Sequence, residues 1–162
     1  MKLVLFQTGG AAPQLPGLLT DCGVVDISAL VRPNYTPQLV MEGIIDDFDR
    51  LRPTLAQLVQ DAPALPLSGV RLRAPLPRPH KILCALANDW EHAQRAPRPL
   101  NMFMKNPDAV IGPGDTIQLP AYTDPWIFMH EAELALVMKG PAKMVRARTG
   151  AMPFSATPAL SM

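Results

Sequence analysis

Prolines set the outer limits of this fold. Nineteen of them are spread over 162 residues. Each fixes φ and removes a backbone donor, so the chain is expected to avoid long regular helices and to build from short strands joined by fixed turns. The length fits one domain, or one small domain plus part of another, and a 48% apolar fraction is enough for a core. Lys and Arg total 15 against 14 Asp and Glu, so there is no basic excess and neither nucleic acid nor an anionic membrane is an expected partner. The apolar run at residues 3–6 stops at Gln7-Thr8-Gly9-Gly10, before a signal-peptide core is complete. No uninterrupted apolar stretch approaches the roughly 20 residues of a membrane span. A soluble, cytoplasmic protein is expected. Cys22 and Cys84 lack metal-ligand spacing and read as buried, reduced thiols without chemistry.

Residues 3–6, 17–19 and 24–27 read as short strands, the second pair joined by the turn Thr20-Asp21-Cys22-Gly23. Thr36 is a good N-cap with Pro37 at the first helical position, and Leu39, Ile44, Ile45 and Phe48 recur at helical spacing through Arg50. Pro53 is expected to break or restart that helix. Leu55, Leu58 and Val59 then make a second short amphipathic turn, which Asp61-Ala62-Pro63 stops. Val70-Arg71-Leu72-Arg73 alternates like a strand, and Ala74-Pro75-Leu76-Pro77-Arg78-Pro79 is an extended connector. A boundary is placed there, with an accessory N-terminal domain over 1–77. Lys81-Ile82-Leu83-Cys84-Ala85-Leu86 is a continuous apolar run of the kind buried on both faces, and it leads into the polar cluster Asn88-Asp89-Trp90-Glu91-His92. Strand candidates at 102–105, 116–119 and 126–138 follow, with the tight turn Gly112-Pro113-Gly114-Asp115 among them. The expected class is α+β, rich in β.

In His130-Glu131-Ala132-Glu133-Leu134-Ala135-Leu136-Val137 two carboxylates alternate with apolar residues. On a strand, residues two apart project from one face about 6.5 to 7 Å apart. Glu131 and Glu133 therefore repel one another unless they stay in water or share a cation. Oxygen-only donors suit a hard ion such as Mg2+, Mn2+ or Ca2+. A solvated edge strand would look the same.

The order of Leu86-Ala87-Asn88, His92, Pro99, Phe103-Met104-Lys105-Asn106-Pro107, Gly112-Pro113-Gly114-Asp115-Thr116-Ile117-Gln118-Leu119-Pro120 and Glu131-Ala132-Glu133 resembles the catalytic domain of the fumarylacetoacetate hydrolase family. The resemblance runs from about residue 78 to about 145. It implies a mixed β-fold catalytic domain around a divalent cation, Mg2+ first, with Mn2+ or Ca2+ also fitting. It also implies Glu131 and Glu133 as metal ligands, Asn88 and His92 as the asparagine and histidine of the family's N-Y-x-x-H element, and Lys105 as the lysine contacting substrate oxygens. In that assignment His92 moves a proton near neutral pH, and the cation polarises a dicarbonyl or 2-oxo acid substrate during carbon–carbon cleavage. Homodimers and a place in aromatic-compound catabolism are implied in the same way. His92 alone, on a polar loop, reads as an ordinary surface residue, and the flanking pattern is what makes it a candidate. Lys105 by itself reads as a solvated strand residue, while Trp90 and His130 are assigned no role.

Two positions depart from the family's pattern. Asp89 stands where the tyrosine is expected, and Arg95 where an acid often follows the histidine. The reaction is therefore left among hydrolase, hydratase, isomerase and decarboxylase types. Residues 146–162 carry no acid and no periodicity. They read as an out-of-frame tail that replaces the stretch leading to the family's third, aspartate ligand, so the chain is expected to be a C-terminally truncated and inactive form. The alternative is a catalytically dead binding or assembly module of the same fold.

Overall fold

The computed structural model describes residues 1–86, 101–121 and 131–139. The alternating residues of the first 73 form one antiparallel sheet from β1 (Lys2–Gln7), β2 (Leu15–Thr20), β3 (Gly23–Asp26) and β4 (Arg71–Arg73), in the order β3-β2-β1-β4. The β2–β3 hairpin closes where Thr20 Oγ1 donates to the Gly23 carbonyl at 3.0 Å and accepts from the Cys22 amide at 3.2 Å. Gly23 has φ +132° and packs directly on the backbone of Leu65, where an added Cβ would stand 2.0 Å from the carbonyl oxygen. Only glycine meets both conditions.

Two helices lie against this sheet. α1 (Pro37–Asp46) starts as expected, with the Thr36 hydroxyl accepting from the Leu39 amide at 3.3 Å and Pro37 at the first helical position. The break comes at Asp47, not at Pro53. α2 (Phe48–Asp61) is a full 14-residue helix with Pro53 inside it. Pro53 is exposed, so the carbonyl it leaves without a donor faces water, while Leu51 and Leu55 on the opposite side stay anchored in the core. Leu3, Leu5, Leu18, Val25, Ile27, Met41, Ile44, Leu51 and Leu55 form that core. Each such side chain contributes roughly 1.5–3 kcal/mol of burial.

The second region is built differently. Among the described residues, β5 (Ile82–Leu86) pairs only with β6 (Asn101–Lys105), as a two-stranded antiparallel ribbon. The expectation that β5 is buried on both faces fails: Leu83 and Leu86 are each 56% exposed, and Cys84 alone is buried. Cys22 is exposed, against its reading as a buried thiol. Residues 116–119 and 131–137 are not strands and find no ladder partner among the described residues, and residues 126–130 of the expected strand lie outside them. Asn88, Trp90, His92, Arg95, His130 and the segment 146–162 lie outside the described residues.

Candidate metal and substrate site

Lys105 ends β6, directly opposite Ile82 of β5. Directly opposed residues of an antiparallel pair share a face, as do residues two apart on one strand. Phe103, opposite Cys84, therefore lies on the Lys105 side of the ribbon. The Lys105 ammonium stands 5.8 Å from the centroid of the Phe103 ring, within cation–π range. Just past the strand, the Asn106 side chain accepts from the Asp108 amide at 3.0 Å and caps a short turn at Pro107–Ala109. That turn is tied back to the connector by Arg78 Nε, 2.9 Å from Asp108 Oδ1.

The acidic segment approaches the same place. Lys105 Nζ lies 3.8 Å from Glu133 Oε1, with the lysine side chain 52% exposed and the glutamate 40%. From residue 134 onward exposure alternates: Leu134, Leu136 and Met138 are exposed, whereas Ala135, Val137 and Lys139 are half-buried. This period of 2 is that of extended chain laid on a surface. Glu131 and Glu133 have the parity of the half-buried set, but both are solvent-accessible. Two carboxylates of one parity beside a cationic side chain offer hard oxygen donors only, and that chemistry fits a hard divalent ion. Among the described residues, no group of three His, Cys, Asp or Glu converges.

A clamp fixes the chain between these parts. In the turn Gly112-Pro113-Gly114-Asp115, the Asp115 amide donates to the Gly112 carbonyl at 3.1 Å, and Asp115 Oδ2 accepts from the Gly112 amide at 2.8 Å. Its other oxygen meets Arg71 at 2.5 Å and Arg73 at 3.3 Å, alternate residues on one face of β4. The Gly112 amide first, then the Arg71 and Arg73 guanidiniums, hold the Asp115 carboxyl below the usual carboxylate range against an upward push from burial. Gly112 sits so close to β4 that a Cβ there would come within 3.0 Å of the Ala74 nitrogen.

Of the residues singled out from sequence, the structure thus brings Lys105 and Glu133 together and leaves Glu131 exposed on the same segment. Asn88 and His92 are not among the described residues. Sequence reasoning gave no role to Phe103 or Asp115. For Phe103 the signal was present, since an aromatic two residues before a strand lysine shares its face. For Asp115 the only signal was the Arg71-x-Arg73 alternation, which does not name its partner.

Comparison with known proteins bears on this geometry. Residues 81–154 match the family described as fumarylacetoacetate (FAA) hydrolase C-terminal. The chain is 33% identical over 155 residues to the mitochondrial oxaloacetate tautomerase FAHD2A of Bos taurus, covering 91% of this chain and 48% of that protein. Its similarity to the Homo sapiens FAHD2A is 32% over 157 residues, with the same coverages. Among solved structures, it resembles the maleylpyruvate hydrolase of Sphingobium sp. SYK-6 in complex with manganese(II) and pyruvate. There the TM-score is 0.71 at 30% identity, covering 90% of this chain and 52% of that one. The chain spans about half the length of the curated relatives it matches.

Proposed function

We propose, for a chain that belongs over residues 81–154 to the fumarylacetoacetate hydrolase family, that it carries the cation-binding carboxylates and the substrate-facing lysine of an enzyme acting on carbon–carbon bonds of dicarbonyl or 2-oxo acid compounds. The observation that carries this reading is the 3.8 Å approach of Lys105 to Glu133, which joins two separate segments of the chain at one place. Glu131 and Glu133 would hold the divalent ion, either Mg2+ or Mn2+, and Lys105 would meet a substrate carboxylate or carbonyl oxygen through its ammonium. A bound cation supplies Lewis-acid polarisation of the paired substrate oxygens. His92 would carry the proton and Asn88 would orient the reacting groups. The relative with manganese and pyruvate supports a 2-oxo acid as ligand. Pairing into homodimers and a cytoplasmic location are part of the same reading, tested by sedimentation and by fractionation.

Because both glutamates are solvent-accessible, water screens their field and competes for any ion. The 162-residue chain by itself is therefore expected to bind weakly and to show no turnover. Calorimetric titration with Mn2+ and Mg2+ tests the reading: heat should be present in the wild type and absent in Glu131→Ala and Glu133→Ala. Equal heat in all three would overturn it. The second reading, a binding or assembly module, rests on Arg95 standing where family members often have an acid, and it predicts no carboxylate-dependent heat. Metal-dependent turnover of 2-oxo acids by the purified chain would refute inactivity.

A further inference from the structure

We propose that Lys105 and a divalent cation compete for Glu133, so that cation binding moves the ammonium off the carboxylate, toward Phe103 and the substrate position, and sets a loading order of cation first and substrate second. The inference rests on the reading of Glu131 and Glu133 as cation ligands and adds to it an internal competitor.

Three features support it. The Lys105–Glu133 separation of 3.8 Å is a Coulombic contact at the long limit of an ion pair, beyond hydrogen-bonding distance, so no directional bond holds the ammonium there. Both side chains are about half exposed, and such a pair is worth little in water, so a doubly charged ion gripping two carboxylates displaces a single ammonium. Phe103 gives the released ammonium a second support, since its ring already lies 5.8 Å from Nζ on the same face of β6. A lysine freed from an acid beside a cation site is placed to receive an anionic oxygen pair, whereas one paired with Glu133 is not.

The test uses the full 162-residue chain. Brief acetylation with limiting acetic anhydride, read by mass spectrometry, reports the freedom of Lys105, with exposed Lys2 and Lys81 as internal references. Without added metal, Glu133→Gln should raise Lys105 labelling roughly two- to fivefold, the size set by an exposed ion pair. Mn2+ added to the wild type should raise it similarly. By calorimetry, Lys105→Met should bind Mn2+ roughly two- to fivefold tighter than the wild type, because a competing positive charge is gone. Unchanged labelling in Glu133→Gln overturns the competition. So does equal Mn2+ affinity in wild type and Lys105→Met, although carboxylate-dependent heat in both would leave the ligand reading standing. No Mn2+ heat in either protein overturns the ligand reading and the competition with it.

Discussion

β1 and β5 are written in nearly the same alphabet, Leu-Val-Leu-Phe against Ile-Leu-Cys-Ala-Leu, but they meet opposite fates. β1 has a strand on each edge and cover on each face, so the adjacent residues Leu5 and Phe6, which point to opposite sides, are both 0% exposed. Among the described residues β5 has a neighbour on one edge only, and its leucines are each 56% exposed. Apolar composition states what a strand could bury. Its partners decide what it does bury.

The contrast is most sharply challenged by paired truncations. Leu55→Ala, in the core of the first region, should cost about 2–5 kcal/mol of stability in chemical denaturation. Met104→Ala, on the ribbon and 72% exposed, should stay within about 0.5 kcal/mol. Equal losses would show that the ribbon is as well packed as the sheet. Next in size, Gly23→Ala forces a side chain into positive φ and onto the Leu65 carbonyl, and should lower stability by about 2–3 kcal/mol.

A smaller and pH-dependent effect concerns the clamp between the regions. Since the folded Asp115 carboxyl lies below its ordinary value of 3.8, its contribution is complete above that value. It is lost as pH falls through the lower folded value. Amide protection of residues 106–121 should therefore decline in acid before that of the β1–β2 hairpin. Asp115→Asn should show the weakened protection at neutral pH with a flatter acid response. Simultaneous loss in both regions would deny Asp115 its linking role. The smallest expected effect is that of Leu83→Thr, a polar swap on an exposed strand position, which should leave the denaturation midpoint within about 0.5 kcal/mol while reducing self-association measured by light scattering.

What the sequence disclosed follows the range of the forces involved. The start of α1 was legible because capping by Thr36 and Pro37 is a matter of a few adjacent residues. The end of α1 was not, because Pro53 is tolerated only through the anchoring of Leu51 and Leu55 in a core assembled from distant strands. β6 was readable as a short apolar run over 102–104. The exposure of β5 was not, since nothing in a strand's own residues reports whether a covering layer exists. At the site, alternation and family resemblance singled out Glu131 and Glu133, but the strand expected around them does not form over 131–137. The meeting of Glu133 with Lys105 is a long-range fact that only the fold supplies. Asp115 shows the same limit, for its arginine partners precede it by more than 40 residues.

That separation has a consequence in time. Closing a loop grows costlier only with the logarithm of its length, but a contact between residues 73 and 115 must wait until β4 has docked on β1, whereas the β1–β2 and β2–β3 hairpins join close neighbours in the chain. The order of events should run from hairpins to helices to clamp. Opening should run in reverse, with the Asp115 clamp released and recaptured many times for each unfolding of the sheet that carries its arginines.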